Sequence, residues 1–516
     1  MKRKLSKILF ISTIVVLTLV LVQTLTGFIN LRSLKGAMIK TEMPKLTYKT
    51  YVDGSFQRDF ESYGKDNFGF REWMIRLYNQ YLWSCYHKTS NAYILFGKDN
   101  WLYESDFVMD HYQSMMYKYT DDTTIMRNTF EKEALRLWKV QELLKEHDIH
   151  IFVSMIPGKD VIYPENLPEN TEYFHPDGIH AYDFYKKRFD ELGINYIDFV
   201  EIFKNEKDVV DYQLFTKTGT HWSNIAATYA FDTILNYMET LGNRNITNIN
   251  IGEKYYAKTR EPDDDLEQLL NLSFKIKSKP NLYADVTTIE DSTAVKPYFI
   301  VIGDSFFWTI SYNIPLNSIF SKTPYWYYNS TIYFDNEHNS TSEIDIEKEL
   351  MRTDYIMLNY CTVQLYNLCS LFLTKALTHL CYDQKTIDSV AQNIINGIKS
   401  DNEWYSSIVN KAKTNNISVE KALYDDAIYV IELEPEKYFE ELKGDKLPVS
   451  RNKNLVKIRK NNIIAESTEL QNMINYIYSD ENWLNDLKKK AEKNGIALEK
   501  QVEIDARWML DNKNSK

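Results

Sequence analysis

Positive charge is scarce in this 516-residue chain: 61 lysines and arginines stand against 72 aspartates and glutamates, a formal net charge of −11. A nucleic-acid surface needs clustered cations, so nucleic acid is set aside as a partner. Cysteine is scarce too. Cys85, Cys361, Cys369 and Cys381 form no C-x-x-C pair, and the nine histidines do not gather at metal-ligand spacing, His147 and His150 being the nearest approach. The run Asp263-Asp264-Asp265 could chelate a cation, but a solvated acidic turn before a helix is the preferred reading, and no metal is expected. Neither a P-loop nor a G-x-G-x-x-G occurs, so no organic cofactor is expected either. Four cysteines allow three pairings, and Cys361 and Cys369 are close enough in sequence to be one of them.

A second long apolar run is also missing; the first is at the N-terminus. Lys2, Arg3, Lys4 and Lys7 precede an uncharged segment from Ile8 to about Ile29. That is enough to cross a hydrocarbon core of about 30 Å and too long for an ordinary signal-peptide core. The expectation is an uncleaved single-pass anchor, with residues 8–29 in the cell membrane, the N-terminus cytoplasmic and the remaining body outside.

Within that body the run Tyr298-Phe299-Ile300-Val301-Ile302 stops at Gly303-Asp304-Ser305-Phe306. A short apolar run suits a buried strand, and glycine permits a sharp turn at its end. A serine there sits at the carboxyl edge of a sheet, where open α/β folds place their ligands. A helix starting at Phe306 would aim its first N–H groups at developing negative charge, so Ser305 is the candidate nucleophile and its own N–H the first oxyanion donor. Its hydroxyl needs a base. His221 lies in Thr218-Gly219-Thr220-His221-Trp222-Ser223, a loop before helical spacing that begins near Ile225, with Ser223 as its cap.

Other apolar runs, Ile149–Ile156, Ile194–Phe199 and Tyr355–Leu358, alternate with helical patterns at Asn128–His147 and Ala181–Leu192. This alternation predicts an α/β fold with a mainly parallel sheet flanked by helices. Asn359 and Lys159, each just past a run, are candidate oxyanion or substrate contacts, as is Trp222. The competing expectations are a turn asparagine and a solvated lysine. Aromatic residues make up 14% of the chain, and Tyr325-Trp326-Tyr327-Tyr328 could stack on sugar rings, yet a structural role is favoured for it.

Several segments, taken in order, resemble the SGNH-hydrolase-like domain of the alginate O-acetyltransferase family. They are Asp66-Asn67-Phe68-Gly69-Phe70-Arg71, Phe96-Gly97-Lys98-Asp99-Asn100-Trp101-Leu102-Tyr103, Pro157-Gly158-Lys159 with Tyr163-Pro164-Glu165-Asn166-Leu167-Pro168, Thr220-His221-Trp222, Asp265-Leu266 and Gly303-Asp304-Ser305-Phe306. The resemblance spans roughly residues 50–380. It implies an SGNH-like catalytic domain over residues 31–380 and an order with the histidine before the serine. It also implies an aspartate two positions before the histidine, where this chain has Gly219. Three readings stay open there: a serine–histidine dyad, a carboxylate from elsewhere with Asp211 and Asp304 as candidates by sequence proximity, or a degenerate site.

The implied activity is extracytoplasmic O-acylation, most simply O-acetylation, of an exported polysaccharide, fed by a multi-pass membrane acyltransferase. The rivals are a carbohydrate esterase using the same side chains and a non-catalytic polysaccharide-binding or scaffold protein. Residues 381–516 change in texture to a charged helical extension with an internal repeat. Residues of about 400–431 recur at 479–510 with a constant shift of 79 positions (483 − 404), Trp404 matching Trp483 and Asp426-Ala427 matching Asp505-Ala506. Each copy reads as helix, asparagine-containing turn, helix, and Glu434–Arg459 reads as the connector between them.

Overall fold

A computed structural model describes residues 2–36, 41–168, 179–276, 279–450 and 470–494, with 498, 501–502, 504–506 and 509 beyond. Six strands make the central sheet: β1 (His150–Ile156), β2 (Tyr196–Asp198), β3 (Phe299–Gly303), β4 (Tyr325–Tyr327), β5 (Thr331–Tyr333) and β6 (Tyr355–Cys361). Their order is β2-β1-β6-β3-β4-β5. All neighbours run parallel except β4 and β5. Every residue of β3 and β6 is buried, because helices cover both faces and leave no wet side for polar residues to occupy.

The period of two divides each strand between two cores. Ile151, Val153, Ile300, Ile302, Ile356 and Leu358 face the helix Thr123–Lys145. Phe152, Ile156, Phe299, Val301, Tyr355 and Met357 face the helix Asn224–Gly242. The mainly parallel α/β sheet expected from the alternating pattern is present, and its carboxyl edge gathers the ends of β1, β6 and β3. Within Tyr325-Trp326-Tyr327-Tyr328, the first three residues are β4, with Tyr325 and Trp326 buried.

None of the four cysteines is in a disulfide. Cys361 lies in the core on one sheet face and Cys369 in the core on the other, so the sheet separates the two that sequence proximity suggested as a pair. The helix Lys2–Thr26 is long and apolar enough to cross a membrane, and its apolar side chains are largely exposed.

Helices Gln384–Ser400, Asn402–Asn415 and Val419–Leu433 follow Cys381 and share the core of the Thr123–Lys145 face through Ile387, Ile398, Ile408, Ala422 and Ile431. The later helical region forms its own cluster around Ile477, Leu487, Val502 and Ala506. The two copies make corresponding contacts. Asp401 and Asp480 each cap a tryptophan N–H at 3.0 Å, on Trp404 and Trp483. Lys411–Asp426 at 3.1 Å matches Lys490–Asp505 at 2.8 Å. Gly495, Ile496, Glu499 and Lys500 of the second copy, and residues 451–459 of the connector, lie outside the described residues.

One buried guanidinium ties the polypeptide after Leu433 to the sheet domain. Arg136 donates to both Glu436 oxygens at 2.7 and 2.8 Å, to Glu133 at 2.8 Å and to Ser370 at 3.0 Å. Replacing it with alanine leaves Glu133 and Glu436 only the more distant Lys132, 4.0 Å from Glu436, as a counter-charge; removing one partner of a buried pair costs about 3–5 kcal/mol. Arg136→Ala is therefore expected to lower the urea midpoint clearly, with proteolytic nicking after residue 433. A loss below about 1 kcal/mol, the range of exposed pairs, would mean the cluster contributes little.

Candidate active site

A histidine offered from a loop is useful only if the loop is held. The segment Thr216–His221 is gripped from three sides. Lys159, three residues past the end of β1, is buried and donates its ammonium to the carbonyls of Thr216 (3.2 Å), Lys217 (3.3 Å) and Gly219. Leu102 N donates to Lys217 O at 2.9 Å, and Thr216 Oγ1 donates to Asp263 O at 2.5 Å. Past the loop, Ser223 caps the helix Asn224–Gly242 by accepting from Ala226 N at 3.2 Å.

This grip places the imidazole between two partners. His221 Nε2 is 2.8 Å from Ser305 Oγ, and Nδ1 is 2.5 Å from Asp265 Oδ2. The second oxygen of Asp265 accepts from Thr220 N at 2.8 Å and Leu266 N at 2.7 Å, which fixes the carboxylate against both chain segments. Ser305 sits at the start of the helix Phe306–Asn313, directly after β3. Gly303 permits that geometry, since a Cβ there would run into the Asn359 carbonyl of the neighbouring strand. Burial pushes the His221 imidazole down, but the charge and hydrogen bond of Asp265, with lesser pulls from Glu104 and Asp304, outweigh it and leave its pKa above the usual histidine value.

The serine and histidine open into a cleft of about 380 Å³, lined also by Lys35, Tyr93, Glu104, Glu261 and Leu269. Glu104 accepts from Thr220 Oγ1 at 3.3 Å. Burial is the main cause raising its pKa; the His221 charge opposes the rise, and Asp265 and Asp106 reinforce it. Among the described residues no cluster of histidine, cysteine, aspartate and glutamate is arranged to hold a metal ion.

Several sequence candidates lie elsewhere. Asp304 is buried, and its oxygens accept from Phe306 N (3.1 Å) and Cys361 N (2.7 Å); it braces the turn before the serine and makes no hydrogen bond to His221. Asp211 is on the surface with Lys254, at 2.6 Å. Neither is the orienting carboxylate. Trp222 is fully buried and donates to Phe306 O at 3.0 Å, so it packs the site from behind and offers no substrate contact. Asn359 is fully buried in β6 on the same sheet face as Met357 and Cys361; it is not among the residues lining the cleft, and its side-chain amide makes no hydrogen bond to the described residues.

Lys159 is neither solvated nor in the cleft. Loss of its water shell draws its pKa down to about 7, against the attraction of Asp265, Asp160 and Glu104. The acidic run is not a solvated turn either. Asp263 binds Tyr283 and Asn281, Asp264 binds Lys275 and Gln268, and Asp265 takes the histidine. Sequence reasoning missed Asp265 as the imidazole's partner, although Asp265-Leu266 stood in the ordered set of motifs. For Glu104 the only signal was its place at the end of the Trp101-Leu102-Tyr103 stretch.

Residues 94–313 match the sequence model of a family described as SGNH hydrolase-like domain, acetyltransferase AlgX. Among solved structures, the O-acetyltransferase domain of Pseudomonas putida AlgJ aligns over 53% of this chain and 92% of that one, at 14% identity and a TM-score of 0.34. Pseudomonas aeruginosa AlgX aligns over 54% and 68%, at 12% identity and a TM-score of 0.33. Bacillus cereus PatB1 aligns over 53% and 95%, at 14% identity and a TM-score of 0.33. No curated protein sequence matches the chain.

Gly219 stands where a carboxylate would be expected, and its surroundings explain the glycine. A Cβ there would lie 2.8 Å from Thr216 Oγ1, 2.9 Å from Asp263 O and 3.0 Å from Pro262 O. The segment that delivers Asp265 occupies that space. Gly219→Asp is thus expected to weaken function by pushing Asp263–Asp265 away, which the loss of the downfield His221 Nδ1 proton resonance would report. Retention of that resonance with unchanged activity would contradict the steric account.

Proposed function

We propose that this chain, whose residues 94–313 match the model described as SGNH hydrolase-like domain, acetyltransferase AlgX, is a membrane-anchored O-acetyltransferase that modifies an exported polysaccharide through Ser305, His221 and Asp265. The observation that carries the reading is the continuous relay from Asp265 through both imidazole nitrogens to Ser305 Oγ, at 2.5 and 2.8 Å. In the first half-reaction His221 Nε2 removes the Ser305 proton while Oγ attacks the acyl carbonyl of the donor. The tetrahedral intermediate collapses, the leaving group takes the proton from His221, and the acyl group remains as an ester on Ser305. In the second half-reaction His221 takes the proton of a sugar hydroxyl, that oxygen attacks the ester, and the proton returns to Ser305 as the acylated sugar departs.

Asp265 keeps the tautomer with hydrogen on Nδ1 and stabilises the imidazolium between the two proton transfers. The Ser305 N–H, at the start of the helix Phe306–Asn313, is the first oxyanion donor, where the helix dipole favours negative charge. The helix Lys2–Thr26 serves as the anchor, with the body on the extracytoplasmic side. A multi-pass membrane acyltransferase supplies the acyl group there, since thioester donors are cytoplasmic. With Asp265 on the histidine, the missing aspartate at position 219 no longer favours a degenerate site.

The purified chain, given an activated acetyl ester and an oligosaccharide, is expected to acetylate the sugar, and Ser305→Ala to abolish transfer. Acetate release with no sugar product would favour an esterase. Asp265→Asn is expected to lower turnover by about three to four orders of magnitude, as loss of the orienting carboxylate does in serine proteases. It should also move the acid limb of the rate profile. The base must be neutral to act, so rate rises as pH passes up through the His221 pKa; without Asp265 that pKa falls and the limb shifts to lower pH. A limb that stays in place would mean another group sets it.

A further inference from the structure

The helix Arg71–Tyr86 is inside out. Its buried positions are polar, Arg76 and Asn79. Arg76 donates to the carbonyls of Arg32 and Ser33, both at 2.8 Å, and Asn79 donates to Leu270 O at 2.8 Å and accepts from Ser90 Oγ at 2.9 Å. Its opposite side presents Trp73, Met74, Leu77, Tyr78 and Tyr81, all exposed, Trp73 at 60%. Their spacing makes one stripe along the helix. Each Å² of apolar surface left in water forgoes about 25 cal/mol, so a stripe of this kind calls for a covering medium.

The place where the stripe begins indicates the medium. Phe28 lies just past the end of the apolar helix Lys2–Thr26, and its ring meets Phe70 at 6.3 Å, which meets Trp73 at 6.1 Å. Gly69 N donates to Thr24 Oγ1 at 2.6 Å, and a Cβ at Gly69 would lie 2.5 Å from Val20 O, so this turn is seated on the helix itself. The exposed apolar surface therefore continues without a break from the helix Lys2–Thr26 onto the helix Arg71–Tyr86. Tryptophan and tyrosine are the side chains that favour the boundary between lipid and water.

We propose that the helix Arg71–Tyr86 lies in the membrane–water interface beside the anchor, with Trp73, Met74, Leu77, Tyr78 and Tyr81 among the lipid headgroups and upper acyl chains. The inference rests on the reading of Lys2–Thr26 as a membrane anchor. It has a consequence for the site. The linker after the anchor is clasped by Arg76 and by Asn271, which exchanges two hydrogen bonds with the Lys35 backbone at 2.8 and 3.0 Å. Lys35 and Gly36 line the cleft. At 3.3–3.6 Å per residue at most, the span from Gly27 to Gly36 holds the cleft mouth within roughly 35 Å of the anchor's end. The serine is thereby tethered near the bilayer, on the side where a membrane-embedded donor would present its acyl group.

Spin labels on the full chain test this. Cys85→Ser removes the one exposed thiol among the four cysteines. Single cysteines then go in as Leu77→Cys, Tyr81→Cys, Leu17→Cys within the anchor, and Val209→Cys on the exposed body. In vesicles of phosphatidylcholine and phosphatidylglycerol, relaxation by oxygen relative to a water-soluble nickel complex should be several-fold higher at positions 77 and 81 than at 209. If 77 and 81 match 209 while 17 is in lipid, the interfacial helix is wrong and the anchor stands. If 17 is also aqueous, both readings fall. If neither reagent reaches 77, protein covers the stripe, and the proposal fails in favour of a protein partner.

Discussion

An imidazole on a loop can turn about two side-chain torsions, and only a group beyond the loop can stop it. Here that group is Asp265, whose hydrogen bond to His221 Nδ1 is 2.5 Å long. The bond joins segments that are neighbours in space alone, and other features of the site follow from the need to make it. The Asp263 carbonyl accepts Thr216 Oγ1, Asp265 accepts Thr220 N, and Glu267 N donates to Thr218 O, so the turn after Pro262 and the histidine loop are laced together. Gly219 belongs to the same constraint, because the lacing leaves no volume for a side chain there.

The parts of the fold legible in the sequence were those set by hydrophobic periodicity. The runs at 149–156, 298–302 and 355–358 became three adjacent parallel strands, each within a few residues of its expected limits. Burial on both faces writes a continuous apolar signal, and such a signal survives without neighbours to interpret it. The helix Ala181–Leu192 was legible for the matching reason, a clean amphipathic period ending at Gly193 in the left-handed region. Strand order was not legible, since β6, the last strand of the sheet in sequence, inserts between β1 and β3, and no local pattern records that.

At the site, local chemistry was legible and long-range pairing was not. A serine after a glycine turn and a histidine before a capped helix could each be nominated from neighbouring residues. The partner of the histidine came from 44 positions away, where an aspartate in an acidic run looks like a helix cap or a solvated turn. Proximity in sequence favoured Asp304 and Asp211 instead. The first is consumed by two backbone N–H groups and the second by a surface lysine. Lys159 misled in the same way: position past a strand suggests exposure, whereas three carbonyls of the histidine loop pull it inside.

That buried lysine has an implication for when the site is assembled. An ammonium has three hydrogens for its three carbonyl acceptors; a neutral amine has two, so the loop loses one fastening when the lysine gives up its proton. With its pKa drawn down to about 7, this happens close to neutrality. His221 makes the opposite demand, since it must shed its proton to act as a base, at a pKa held above the usual one. The two groups thus make opposite demands: acid leaves the loop fastened but protonates the base, and alkali frees the base but removes a fastening.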